Sequence, residues 1–184
     1  RTAIAAADIA QALQDRRPYY ARQADYNYDT ISAFIKSLRG SEPHAALYWL
    51  ARMIESGEDP LFIVRRMVIL ASEDVGLADP QAMVVATACQ QAVHFVGMPE
   101  GFYPMAECAL YLALAPKSNS VGSAYMAAQQ DAVRTAHLPV PMQLRNAVTG
   151  LMRDFGYGQG YRYAHNEPRH VAVGMRYLPE ELGE

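Results

Sequence analysis

Lysine is nearly missing from this 184-residue chain: of sixteen basic residues only Lys36 and Lys117 are lysines. The formal net charge is −3, so whole-chain electrostatics give no reason to expect strong nucleic-acid binding. Cysteine is equally scarce. Cys89 and Cys108 both stand in apolar, alanine-rich surroundings, which predicts buried free thiols rather than a disulfide and fits a reducing cytosol. No apolar run reaches the roughly 18 residues a membrane span needs, and no signal peptide is present. The chain opens on Arg1, without methionine, inside a helix-like pattern. That opening predicts a piece excised from a longer protein.

Catalytic patterns are missing too. A phosphate loop of the G-x-x-x-x-G-K-[ST] type uses its glycines so that backbone amides can wrap the phosphates. Lys117-Ser118 follows Pro116 with no glycine ahead of it, and Lys36-Ser37 follows Phe34-Ile35 within a helical pattern. Neither qualifies. "MVILASED" has the look of a Walker B strand, but its flanks read as a helix ending at Gly76. The histidines His44, His94, His137, His165 and His170 form no pair at i,i+3 or i,i+4, and none has a cysteine or acid at zinc spacing. No G-x-S-x-G is present. No residue is assigned a catalytic, cofactor-binding or metal-binding role, and the chain is expected not to be an enzyme by itself.

What is present is helical. The composition is 51% hydrophobic and 19% charged, which is globular. Three helix starts share one grammar: Ser41-Glu42-Pro43, Asp59-Pro60 and Asp79-Pro80. Each offers a capping side chain and then a proline where no amide hydrogen is required. Gly40, Gly57, Gly76 and Gly97 stand where the preceding helices should close in a left-handed turn. Between these marks lie "HAALYWLARMIES", "LFIVRRMVILASED" (apolar nearly all round, so central), "PQAMVVATACQQAVHFV", 104–115 and 120–136. A further helix is expected over 2–14. Two-residue alternation is not sustained anywhere, and the prediction is an all-α fold with short connections.

The last forty-odd residues read differently, with three glycines in 156–160 and the tyrosines Tyr157, Tyr161 and Tyr163. Short helices near 141–146 and 147–155, then an irregular aromatic-packed segment, are expected. From 131 to 178 six arginines face three acids, Asp131, Asp154 and Glu167. That surface could stack single-stranded bases, although packing of the tail itself is the simpler reading. Candidate contact residues are Tyr161, Arg162 and His165 here, with Arg145 and Asn146 just before. Elsewhere "APKSNS" suggests a contact through Lys117, Ser118 and Asn119, with Lys117 exposed near a helix N-terminus. Glu73 and Asp74 end a helix where the dipole disfavours acids, which predicts a basic partner, within the chain or from another subunit.

Five stretches in order, "KSLRGSEPHAALYWLARMIESGEDPLFIVRRMVILASEDVGLADPQA" (36–82), "APKSNS" (115–120), "PVPMQLRNA" (139–147), "GYGQGYRYAHNEP" (156–168) and "YLPEEL" (177–182), resemble the C-terminal region of the MgsA/RarA family of AAA+ ATPases. The Werner-helicase-interacting proteins are its eukaryotic relatives. The resemblance covers about 27 to 182. It implies a bundle of about seven to nine helices, like a clamp-loader collar, over 27–184, with 1–26 as the tail of the AAA+ lid domain. It further implies a homotetramer of a clamp-loader-related ATPase in the bacterial cytosol, associated with the nucleoid. Such an ATPase would maintain stalled replication forks in recombination and repair, with DNA and single-stranded-DNA-binding protein as partners and no membrane. ATP and Mg would belong to a catalytic core that this stretch does not contain. The alternative is a DNA- or protein-binding helical module acting through 131–178.

Overall fold

The computed structural model of the chain describes residues 28–182; the helix expected over 2–14 and the lid-domain tail lie outside them. The described residues are helical, without strands. Helix α1 covers 28–39, α2 Pro43–Glu55, α3 Pro60–Leu70, α4 Gln81–Val96, α5 Phe102–Leu114, α6 Ser120–Arg134 and α7 Gly150–Asp154. Short 3₁₀ turns complete the chain.

The capping grammar is realised. The Glu42 carboxylate accepts from the His44 amide, Asp59 from Leu61 and Asp79 from Gln81, at 3.2, 3.0 and 3.1 Å. At the other ends Gly57, Gly76 and Gly97 take positive φ. Gly40 does not. Ser41 adopts φ 58° instead, because α1 runs one residue further before closing. The Ser41 amide donates to Leu38 and the Glu42 amide to Ser37, the paired bonds of a Schellman closure. A serine therefore carries the left-handed residue, a conformation costing about 1–2 kcal/mol for a residue with a Cβ.

Packing of the described residues divides into two units, one up to Ala127 and one from Ala128. In the first, α2 packs on α5, α3 on α4 and α4 on α5. The core is built from Phe34 and Leu38 of α1, Met53 of α2, Ile63, Met67 and Leu70 of α3, and Met105 and Leu112 of α5, all buried. The expectation that "LFIVRRMVILASED" is central holds for α3. Its last residues, Ala71–Val75, form a π-helical turn; such a turn widens the helix by one residue and often marks a functional position. Small residues on α4, Ala82, Ala86 and Cys89, let it lie close against its neighbours.

The second unit is built otherwise. Within 128–182 only Ala172 is buried. The helix expected near 141–146 is a single 3₁₀ turn, Met142–Leu144, and that of 147–155 shortens to Gly150–Asp154. Thr149 caps α7, accepting from the Met152 amide. Arg145 is extended (φ −83°, ψ 138°), so the first of these expected helices stops after a single turn. Gly156, Gly158 and Gly160 all take positive φ, so the glycine cluster makes the irregular segment the sequence suggested.

Candidate functional site

Three segments far apart in sequence meet at one polar corner of the first unit. Arg39, at the end of α1, forks onto Asp74 of the π-helical turn: its Nε donates to Oδ1 at 2.6 Å and its Nη2 to Oδ2 at 3.0 Å. The Asp74 side chain is 10% exposed and that of Arg39 45%. Glu73 is a looser neighbour, 3.8 Å from the guanidinium. The acids at a helix end therefore find a basic partner within the chain, as their position beside the dipole requires. The hydrogen bond to Asp74, opposed by desolvation and helped by the charges of Asp74 and Glu73, raises the Arg39 pKa above its usual value.

The "APKSNS" loop closes the corner from the other side. The Ser118 amide donates to the Asp74 carbonyl at 2.6 Å. Gly76 (φ 52°) lies so near that a Cβ there would sit 3.0 Å from the Ser118 carbonyl oxygen. Lys117 is not the exposed cation expected from sequence. Its Nζ donates to the Ala115 carbonyl at 2.6 Å, the Ala113 carbonyl at 3.1 Å and Ser41 Oγ at 3.2 Å. The ammonium thus caps the carbonyl end of α5, where free acceptors and a negative dipole end coincide. Partial burial lowers its pKa, with Asp74 pulling the other way. Ser118 Oγ accepts from the Ser120 amide at 3.3 Å and opens α6; Asn119 is exposed. Arg39 and Ser41 were not singled out from sequence, although both sit in the 36–82 stretch. The signal that called for Arg39 was the pair of acids that needed it.

In the second unit the tail candidates have different partners. Arg162 forks onto Glu167 at 2.9 and 2.6 Å and donates to the Val173 carbonyl at 3.0 Å, which ties 162, 167 and 173 into one loop. The bond from Arg162 depresses the Glu167 carboxyl below its ordinary range. Arg145 donates to the Val140 carbonyl at 2.7 Å and lies over the Tyr157 ring at 5.3 Å. His165 is sandwiched by Tyr163 and His170, ring centroids 5.0 and 5.4 Å away. Tyr161 and Asn146 are exposed. The arginines named from sequence are therefore the fasteners of the tail.

The corner joins α1, the π-helical turn and the α5–α6 loop, and the tail fasteners fold an irregular segment. Comparison with known proteins gives the family. Residues 40–184 match the family model described as MgsA AAA+ ATPase C terminal. The Replication-associated recombination protein A of Escherichia coli K12 is 49% identical over 176 residues, which are 96% of this chain and 39% of that protein. The protein of the same name in Haemophilus influenzae is 48% identical over 95% of this chain and 39% of its own length. ATPase WRNIP1 of Dictyostelium discoideum is 48% identical over 95% of this chain and 20% of its own length. The chain thus spans about two fifths of these two bacterial relatives, and it belongs to the MgsA AAA+ ATPase C-terminal family.

Proposed function

We propose that the chain is the non-catalytic assembly domain of a clamp-loader-related AAA+ ATPase and that it holds that ATPase as a homotetramer. The observation that carries this reading is the second half of the chain. Helix α6 has no buried residue, yet it bears Val121, Tyr125, Met126 and Val133, exposed to 42–77%. After it Val148, Leu151, Phe155 and Val173 are more than half exposed while only Ala172 is buried. Apolar surface on that scale is a mark of an interaction surface. The first unit adds Phe95, Phe102 and Tyr103, and a groove of about 500 Å³ lined by Leu47, Leu50, Ile54, Met98 and Phe102.

A second copy supplies matching apolar area. An interface of about 1,200–2,000 Å² with an apolar centre is the usual scale. At about 25 cal/mol per Å² its apolar part outweighs any rim ion pair, so assembly survives salt. Light scattering in about 0.5 M NaCl, where surface charges are screened, should read four times the 20.3 kDa chain mass. A clean monomer across micromolar concentrations overturns the reading.

The names of the relatives support a role in replication-associated recombination, and the whole protein would act at stalled forks in the cytosol, at the nucleoid. Its partners would be DNA and single-stranded-DNA-binding protein. ATP and Mg would be held by its catalytic core and not by this domain, and residues 1–26 would be the end of the lid domain leading into it. Mg-ATP titrated into this chain should give no micromolar binding.

A further inference from the structure

We propose that Cys89 and Cys108 form a reversible dithiol–disulfide couple, served by its own opening, that can lock α4 to α5. Cys89 faces inward from α4 and Cys108 from α5, and these helices pack on one another. Both thiols are free, and both residues are nearly covered, at 4% and 1% exposure. Yet both line one cavity of about 260 Å³, whose other walls are Val85, Ala88, Ala92, Pro104 and Glu107. A buried thiol without access is inert; a cavity of this size admits a molecule as small as a peroxide. The two sulfurs are close enough for a side-chain hydrogen bond.

That hydrogen bond sorts the pair. Cys108 donates and Cys89 accepts, which lowers the Cys89 pKa, while burial and the negative charge of Glu107 oppose it. The same bond, with burial, holds the Cys108 thiol protonated. Cys89 is also the less deeply covered of the two, 4% against 1% exposed, so it is the thiol a peroxide in the cavity reaches first and Cys108 is the resolving thiol, the arrangement that favours a sensor over over-oxidation.

The oxidant is a hydroperoxide. The Cys89 thiolate attacks the distal peroxide oxygen; an S–O bond forms, the O–O bond breaks, and the departing alkoxide or hydroxide takes up a proton, leaving a sulfenic acid. The Cys108 sulfur then attacks the Cys89 sulfur. An S–S bond forms, the S–O bond breaks, and the hydroxide leaves with the Cys108 proton as water. The dithiol loses two electrons and the peroxide gains them, and an external dithiol reverses the reaction by exchange.

The test uses the native 184-residue chain and hydrogen peroxide. After brief exposure, alkylation in denaturant and peptide mapping without reductant should show one intramolecular Cys89–Cys108 linkage. No alkylatable thiol should remain, and dithiothreitol should restore both. Two alkylatable thiols after a dose that oxidises the urea-unfolded chain would overturn the proposal. So would sulfinic acid at either position, or linkage only between chains. Cys108→Ala should stop at a dimedone-reactive sulfenic acid on Cys89, whereas Cys89→Ala should leave Cys108 unlabelled; equal labelling overturns the assigned order. The mapping of the unsubstituted chain decides the linkage even where a variant folds poorly.

Discussion

Arg39 and Asp74 face unequal surroundings, the acid 10% and the guanidinium 45% exposed, so removing the arginine leaves the more deeply covered charge without its partner. An unsatisfied group of this kind costs about 1–3 kcal/mol. Arg39→Ala should lower the thermal midpoint by about 2–4 °C for each kcal/mol in a domain of this size. Arg39→Lys should recover only part of that, since an ammonium cannot reproduce the fork. Equal midpoints for the parent and Arg39→Ala would show the pair to be incidental. The Arg162–Glu167 pair belongs to the same scale but answers to pH. The folded Glu167 carboxyl is depressed from its ordinary 4.5 by the hydrogen bond from Arg162. Its contribution is complete above 4.5 and is lost as pH falls through the lowered folded value. In a carbon-detected NMR titration Glu167 should protonate below its ordinary pKa, and Arg162→Gln should return it to that value.

At the scale of elements, the corner depends on how closely the α5–α6 loop approaches the π-helical turn. Gly57 and Gly76 both take positive φ, but a Cβ on Gly57 meets open space while one on Gly76 meets the Ser118 carbonyl at 3.0 Å. Gly57→Ala should therefore cost only the left-handed penalty, about 1–2 kcal/mol. Gly76→Ala carries the steric clash in addition and displaces the loop that seats Lys117. Urea denaturation should rank Gly76→Ala clearly below Gly57→Ala; the reverse order would mean the loop yields freely. The sequence marked both glycines as helix stops, and only the fold distinguishes them, since Ser118 lies 42 positions along the chain.

At the scale of the whole molecule, the first unit has a covered core, whereas the second has one buried residue among those described. A segment that hides so little apolar surface gains little from burial within its own chain, and assembly is the natural source of the rest. Tyr125→Glu places a charge on the exposed apolar side of α6 without touching a buried residue. It should reduce the mass seen by light scattering while the circular dichroism of the first unit's helices persists. An unchanged mass would move the proposed interface away from α6. DNA binding by this chain should be weak. Even three neutralised phosphates give a slope of only about −3 in log K against log salt on duplex DNA. Nanomolar binding at physiological salt would restore the basic tail as a contact surface.

Local chemistry alone determined most of the helices in 28–134. Caps, prolines and glycines act over three or four residues, so Glu42, Asp59, Asp79, Gly57 and Gly97 could be placed before any fold was known. The family was legible for a related reason, since ordered motifs survive in the one-dimensional string. Ser41 replacing Gly40 as the left-handed residue was not legible, because one further residue of α1 depends on how its end is closed. Nor were the partners of Lys117, which lie at Ser41, Ala113 and Ala115, or the meeting of Cys89 with Cys108. Those pairings join positions as many as 76 residues apart. A cation chooses its acceptors, and a thiol its neighbour, only after packing has brought the backbones together.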